Sequence, residues 1–135
     1  MLPSGLPEAV ADGEDLARFL TSSSQYTAQM AKPNAFLPAP RDRETSVFRH
    51  SSEPRATLWQ IGYEFVARIR PIHGAAIVRA GDVRATKLDV IAEEPPPRHA
   101  AIKGWPWLDD DPELQKAKRK ELAALIASKA KLLRP

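Results

Sequence analysis

Apolar positions recur along this chain at spacings that predict particular elements. In the stretch 53–69, Leu58, Ile61, Phe65 and Ile69 follow one another at intervals of three, four and four, with Trp59 and Val66 widening the stripe. That is the period of an amphipathic helix. Ser52 is placed to cap it, Glu53 and Pro54 fall in its first turn, and Pro71 stops it. Gly62 lies on the stripe, where a missing side chain admits a close neighbour. The helix should lie across a sheet, and the runs 45–49 (around Val47), 75–78, 88–92 and 98–103 have the β-branched, apolar character of its strands. Residues 79–87 leave room for one helical turn. Residues 93–97, with three consecutive prolines, read as a stiff crossing between strands.

The N-terminal third is less regular. Residues 1–11 hold two prolines and a glycine without any period, and read as an arm. Asp12 or Gly13 caps an expected short helix to Leu20, with Glu14 and Asp15 against its positive end and Leu16, Phe19 and Leu20 on one face. The run Thr21-Ser22-Ser23-Ser24 ends it, because hydroxyls offer the backbone alternative hydrogen bonds. Ala35-Phe36-Leu37, among Pro33, Pro38 and Pro40, reads as a short extended piece at a sheet edge.

Beyond an aromatic hinge, Gly104-Trp105-Pro106-Trp107-Leu108, the acids Asp109, Asp110, Asp111 and Glu113 surround Pro112. Asp111 as cap and Pro112 at the first position make a strong helix start. Leu114, Leu122, Leu125, Ile126, Leu132 and Leu133 then share about a third of the helical wheel. The expectation is one α+β domain: an arm (1–11), a core (12–108) with a small mixed or antiparallel sheet covered by the central amphipathic helix, and a basic C-terminal helix (109–135).

Charge changes the picture of that last segment. The whole chain carries only +3, yet residues 112–135 hold seven basic and two acidic side chains, a net +5. A concentrated field of one sign draws an acidic partner better than the same charge spread evenly. The binding candidates are Lys116, Lys118, Arg119, Lys120, Lys129, Lys131 and Arg134, joined by Trp105, Trp107 and the arginines of 41–55. Cationic side chains meet phosphates, and exposed indoles stack on unpaired bases. The bland alternative is a solvated helix face above two packed tryptophans. The primary expectation is a small binding or accessory protein for an acidic macromolecule, nucleic acid or protein. An oligomeric assembly subunit, using the leucines of the last helix, is kept beside it.

Composition narrows the chemistry. Without cysteine there is no disulfide, thiolate metal site or cysteine nucleophile. No stretch is apolar for the roughly 18 residues that cross a bilayer, and the first residues lack a secretory pattern, so a cytoplasmic protein without membrane contact is expected. The remaining enzymatic candidates are His50, His73 and His99, with Arg49 and Arg98 directly preceding the first and last. Such a set supplies an acid, a base and a stabilising cation for a metal-independent ribonuclease or related transferase. Neighbours in a strand point to opposite faces, so each Arg-His pair converges only at a strand end. Glu44, Glu53, Glu93 and Glu94 offer carboxylates, but Glu93 and Glu94 splay apart for the same reason. No two histidines have metal-ligand spacing, and no P-loop, dinucleotide fingerprint, nucleophile elbow or zincin motif occurs, so no metal or cofactor is implied.

The phrases GEDLARFL, ETSVFRH, HGAAIVRAGDVRA, PPPRHAAIKGWP and KAKRKELAALIA resemble those of short, uncharacterised bacterial proteins associated with horizontally acquired regions. The resemblance implies a compact stand-alone protein with mobile-element or defence associations, and lends no residue a catalytic role.

Overall fold

The computed structural model describes residues 2–51, 53–68, 70–107 and 111–135. Its centre is a six-stranded antiparallel sheet in the order β4-β5-β2-β1-β3-β6, an α+β architecture. The strands are β1 (Asp15–Leu20), β2 (Thr45–Arg49), β3 (Gly74–Arg79), β4 (Asp89–Ala92), β5 (His99–Lys103) and β6 (Lys131–Leu133), and the helices are α1 (Arg55–Ile61), α2 (Ala80–Arg84) and α3 (Pro112–Lys129). Among the described residues no helix is long and apolar enough to cross a membrane.

Side-chain alternation divides the sheet between two cores. Leu16 and Leu20 of β1, Val47 of β2, Ala76 and Val78 of β3 and Ile102 of β5 pack with Val83, Ala123, Ile126 and Phe36 on one face. Ala17, Phe19, Phe48 and Ala75 pack with Leu58 and Ile61 on the other. The expected central helix is α1, and it covers this second face. It runs on into one π-helical turn, Gly62–Val66, that keeps Phe65 and Val66 against the sheet. Gly62 behaves as its position predicts, since a Cβ there would lie 2.7 Å from the Phe19 ring. Pro54 is the N-cap; the expected cap Ser52 and the stripe member Ile69 lie outside the described residues.

Four expected elements differ. Residues 15–20 form a strand, not a helix: β1 is central and buried on both faces, so its apolar residues do not alternate with polar ones and imitate a helical period. The piece around Phe36 is no edge strand. Pro33–Ala35 form a 3₁₀ turn that buries Ala35 and Phe36 beneath α3. The last helix stops at Lys129, where Ala130 turns extended, and residues 131–133 form edge strand β6 along β3. Leu132 and Leu133 therefore face the two cores instead of extending a helical stripe. The proline-rich segment 93–97 is likewise a hairpin joining neighbours β4 and β5, not a crossing, and holds two cis prolyl bonds.

The helix start matches its sequence. The Asp111 carboxylate accepts the Leu114 amide hydrogen bond at 3.1 Å with Pro112 in the first turn. Leu108, Asp109 and Asp110 lie outside the described residues. The buried seam of α3 is Ala123, Ile126 and Ala127, and the small alanines let the helix sit close to the sheet. Leu114 and Leu125, expected on the seam, are 48% and 51% exposed on its outer side.

Candidate functional site

Four of the five catalytic candidates meet at one corner of the sheet. The register pairs Leu16 with Arg49 and Phe48 with His99, so Arg49, His50, Arg98 and His99 share the edge where β2 ends and β5 begins. Their polar atoms are engaged with the protein itself. Arg49 is 1% exposed; its Nε and Nη2 donate to the two carboxylate oxygens of Glu14, each at 2.8 Å. Nη1 donates to the Pro7 carbonyl at 2.6 Å, which ties the N-terminal arm down. Burial works to raise the Glu14 pKa, but hydrogen bonds from Arg49, the Ala11 amide and Ser51, together with the Arg49 charge, outweigh it and hold the carboxyl below its ordinary value.

Arg98 closes the same corner. Its guanidinium donates to the Arg49 carbonyl at 3.0 Å and to Glu53, which also pairs with His50 Nδ1. Its backbone is left-handed, with φ +68°, and its amide donates to Glu94 at 3.1 Å. A bulky residue persists in that conformation only where its surroundings over-determine it. Glu94 also accepts from the Ser4 amide at 3.0 Å and from its hydroxyl, and those bonds outweigh burial to lower its pKa. His99 Nδ1 donates to the Glu93 carbonyl at 2.8 Å, and its ring stands edge-on to Phe48.

His73 is not brought to this corner. It precedes Gly74, which pairs with Leu20 at the far end of β1, and its Nδ1 is hydrogen-bonded to the Tyr26 hydroxyl at 2.8 Å. Three strand steps and four residues of rise separate it from His99, roughly 20 Å between Cα atoms at ordinary sheet spacings. Acid–base catalysis requires both groups within hydrogen-bond reach of one substrate, and that separation gives the His73–His99 pair no such reach.

The basic residues of the C-terminal segment occupy three places instead of one face. Arg134 lies over the Tyr26 ring, 4.9 Å from its centroid. Lys129 and Lys131 border a hollow of about 370 Å³ that also contains Asp15, Arg79 and Asp82. The third place is the first half of α3. Lys116, Arg119 and Lys120, spaced one turn apart, gather beside Trp107 with Leu37 and Pro38 around a cleft of about 200 Å³. Lys118 sits half a turn away on the outer side, and exposed. Among the described residues, no carboxylate pairs with Lys116, Lys118 or Lys120.

The tryptophans behave differently from each other. Trp105 is buried, and its indole donates to the Ile102 carbonyl at 3.2 Å, so it contributes packing and no surface. Trp107 is half-buried, with the Arg119 guanidinium 3.9 Å and that of Arg43 5.4 Å from its ring centroid. Arg119 is further fixed by donating to the Pro106 carbonyl at 2.8 Å. The indole thus aligns two cations that lie over it, an arrangement that presents guanidinium edges to an anion. Arg43 entered the sequence reading only as one arginine of a basic stretch, because its meeting with Trp107 depends on a loop fold that residue spacing does not encode.

No family model, curated protein or solved structure matches the chain.

Proposed function

We propose that this protein is a small binding module that engages an acidic macromolecule through Lys116, Arg119 and Lys120 of α3, with Arg43 on the neighbouring loop. The observation that carries this reading is the gathering of these cations around Trp107, with no carboxylate paired to Lys116 or Lys120 among the described residues. Asp111 and Glu113 at the start of α3 bound the patch on one side. A nucleic acid is the partner favoured here, recognised by its phosphates. Because guanidiniums already lie over the indole, recognition is by charge and not by base stacking, so single and double strands should bind comparably and with a steep salt dependence. A cytoplasmic setting belongs to the same reading, on the strength of a cysteine-free chain.

The test is a titration of fluorescent single- and double-stranded DNA and RNA at low and moderate salt. The doubly reversed variant Lys116→Glu, Lys120→Glu should lose at least about tenfold in affinity at low salt and flatten the salt slope. If the wild-type chain binds none of these at low salt, nucleic acid is removed, and an acidic protein is the remaining partner. A second reading, an assembly subunit, draws on the exposed outer Leu114 and Leu125 of α3; native mass spectrometry of the protein alone decides it.

A further inference from the structure

The ladder between β1 and β2 is short. Only Leu16–Arg49 and Ala17–Phe48 are in register. Where pairing stops, Arg18 reaches across the gap, donating from Nε to the Ala35 carbonyl at 2.8 Å and from Nη1 to the Ser46 carbonyl at 2.9 Å. Its Nη2 has no protein partner among the described residues, and Arg18 borders a hollow of about 270 Å³. Phe19, Phe48, Phe65 and Val66 form the walls, and exposed Arg70 stands on the rim. Among the described residues, no acidic residue lines the hollow. Burial, together with the neighbouring Arg70 charge, pushes the Arg18 pKa down to about 10. Two guanidiniums beside phenyl walls, one of them half-buried and lacking a counter-charge, leave an electrostatic cost that a bound anion would relieve.

We propose that this hollow binds a small organic carboxylate, with an aryl or short alkyl group against Phe19, Phe48, Phe65 and Val66 and its carboxylate between Arg18 and Arg70. The volume lies just below the roughly 300–1,000 Å³ of drug-sized pockets, which limits the ligand to a small one. A planar guanidinium fork meets a carboxylate in two parallel hydrogen bonds. A phosphate dianion offers the same fork but carries more charge into a half-apolar site, so a monoanion is the better fit. The site is independent of the α3 patch, and either can fail without the other.

The experiment is a ¹H–¹⁵N NMR titration of the full chain with phenylacetate, and in parallel with benzyl alcohol, phenyl phosphate and inorganic phosphate. Phenylacetate should give saturable shifts at amides around the hollow, at least tenfold tighter than benzyl alcohol, and tighter than either phosphate. Arg70→Gln, an exposed change that preserves the fold, should weaken it at least tenfold, and Arg18→Lys should weaken it while keeping a cation. No saturable shift up to about 10 mM, equal binding of benzyl alcohol, tighter binding of phenyl phosphate, or an unchanged affinity in Arg70→Gln would each overturn the proposal.

Discussion

The corner where β1, β2 and β5 meet and the first half of α3 are both rich in cations, and they spend that charge in opposite ways. At the corner, Arg49 is buried and doubly bonded to Glu14, and Arg98 is held by Glu53 and the Arg49 carbonyl. On α3, Lys116 and Lys120 are exposed with no carboxylate partner among the described residues. An Arg-His pair in a sequence therefore says little about catalysis until its partners are known. Charge satisfied inside the fold holds the molecule together, and charge left outside is available to another molecule.

The largest way to break this contrast is Arg49→Met. It leaves the Glu14 carboxylate facing an apolar neighbour in a water-poor corner, and should destabilise the fold by about 3–5 kcal/mol in urea unfolding. Adding Glu14→Gln to it should recover part of that loss, because the stranded charge is gone. A loss below 1 kcal/mol would mean that the corner is not the structural clamp described here.

Acid should reach the corner next. Glu14 and Glu94 both bind protons more weakly in the folded chain than at their ordinary value of 4.5. The unfolded chain therefore takes up more protons in acid, so their contribution is complete above that value and drains away as pH falls through it. The urea midpoint should fall between pH 6 and about pH 3.5, and the fall should be shallower in Glu14→Gln.

Effects on the α3 side should be smaller in stability and larger in binding. Asp111→Ala removes the cap and should cost about 1 kcal/mol. Lys116→Glu, Lys118→Glu and Lys120→Glu should each stay within about 0.5 kcal/mol of the parent in unfolding. Only the first and third should weaken nucleic-acid binding, since Lys118 points away from Trp107; equal losses from all three would reduce the patch to undirected attraction.

Much of this architecture is legible in the sequence. The runs at 45–49, 75–78, 88–92 and 98–103, the central helix against the sheet, the abutting Gly62 and the Asp111–Pro112 start all appear where local chemistry placed them. What was lost depended on distant partners. Glu14 resembles an acid at a helix start, yet its role comes from Arg49, 35 residues on. Residues 131–133 continue a helical leucine pattern, and become a strand because β3 offers an open edge. The site was half legible: the cations of α3 were plain, but their division among three locations, and the placing of Arg43 over Trp107, follow from how the helix ends and how the 41–43 loop folds back.

The short ladder between β1 and β2 has a wider consequence. Six residue pairs join β1 to β3 and four join β2 to β5, while two join the halves β4-β5-β2 and β1-β3-β6. The sheet is thus two three-stranded ribbons welded along a narrow seam and riveted by the Arg18 side chain. Amide hydrogen exchange should divide along that line: protons within each ribbon are released together, and the amides flanking the seam open at a lower free energy than either ribbon.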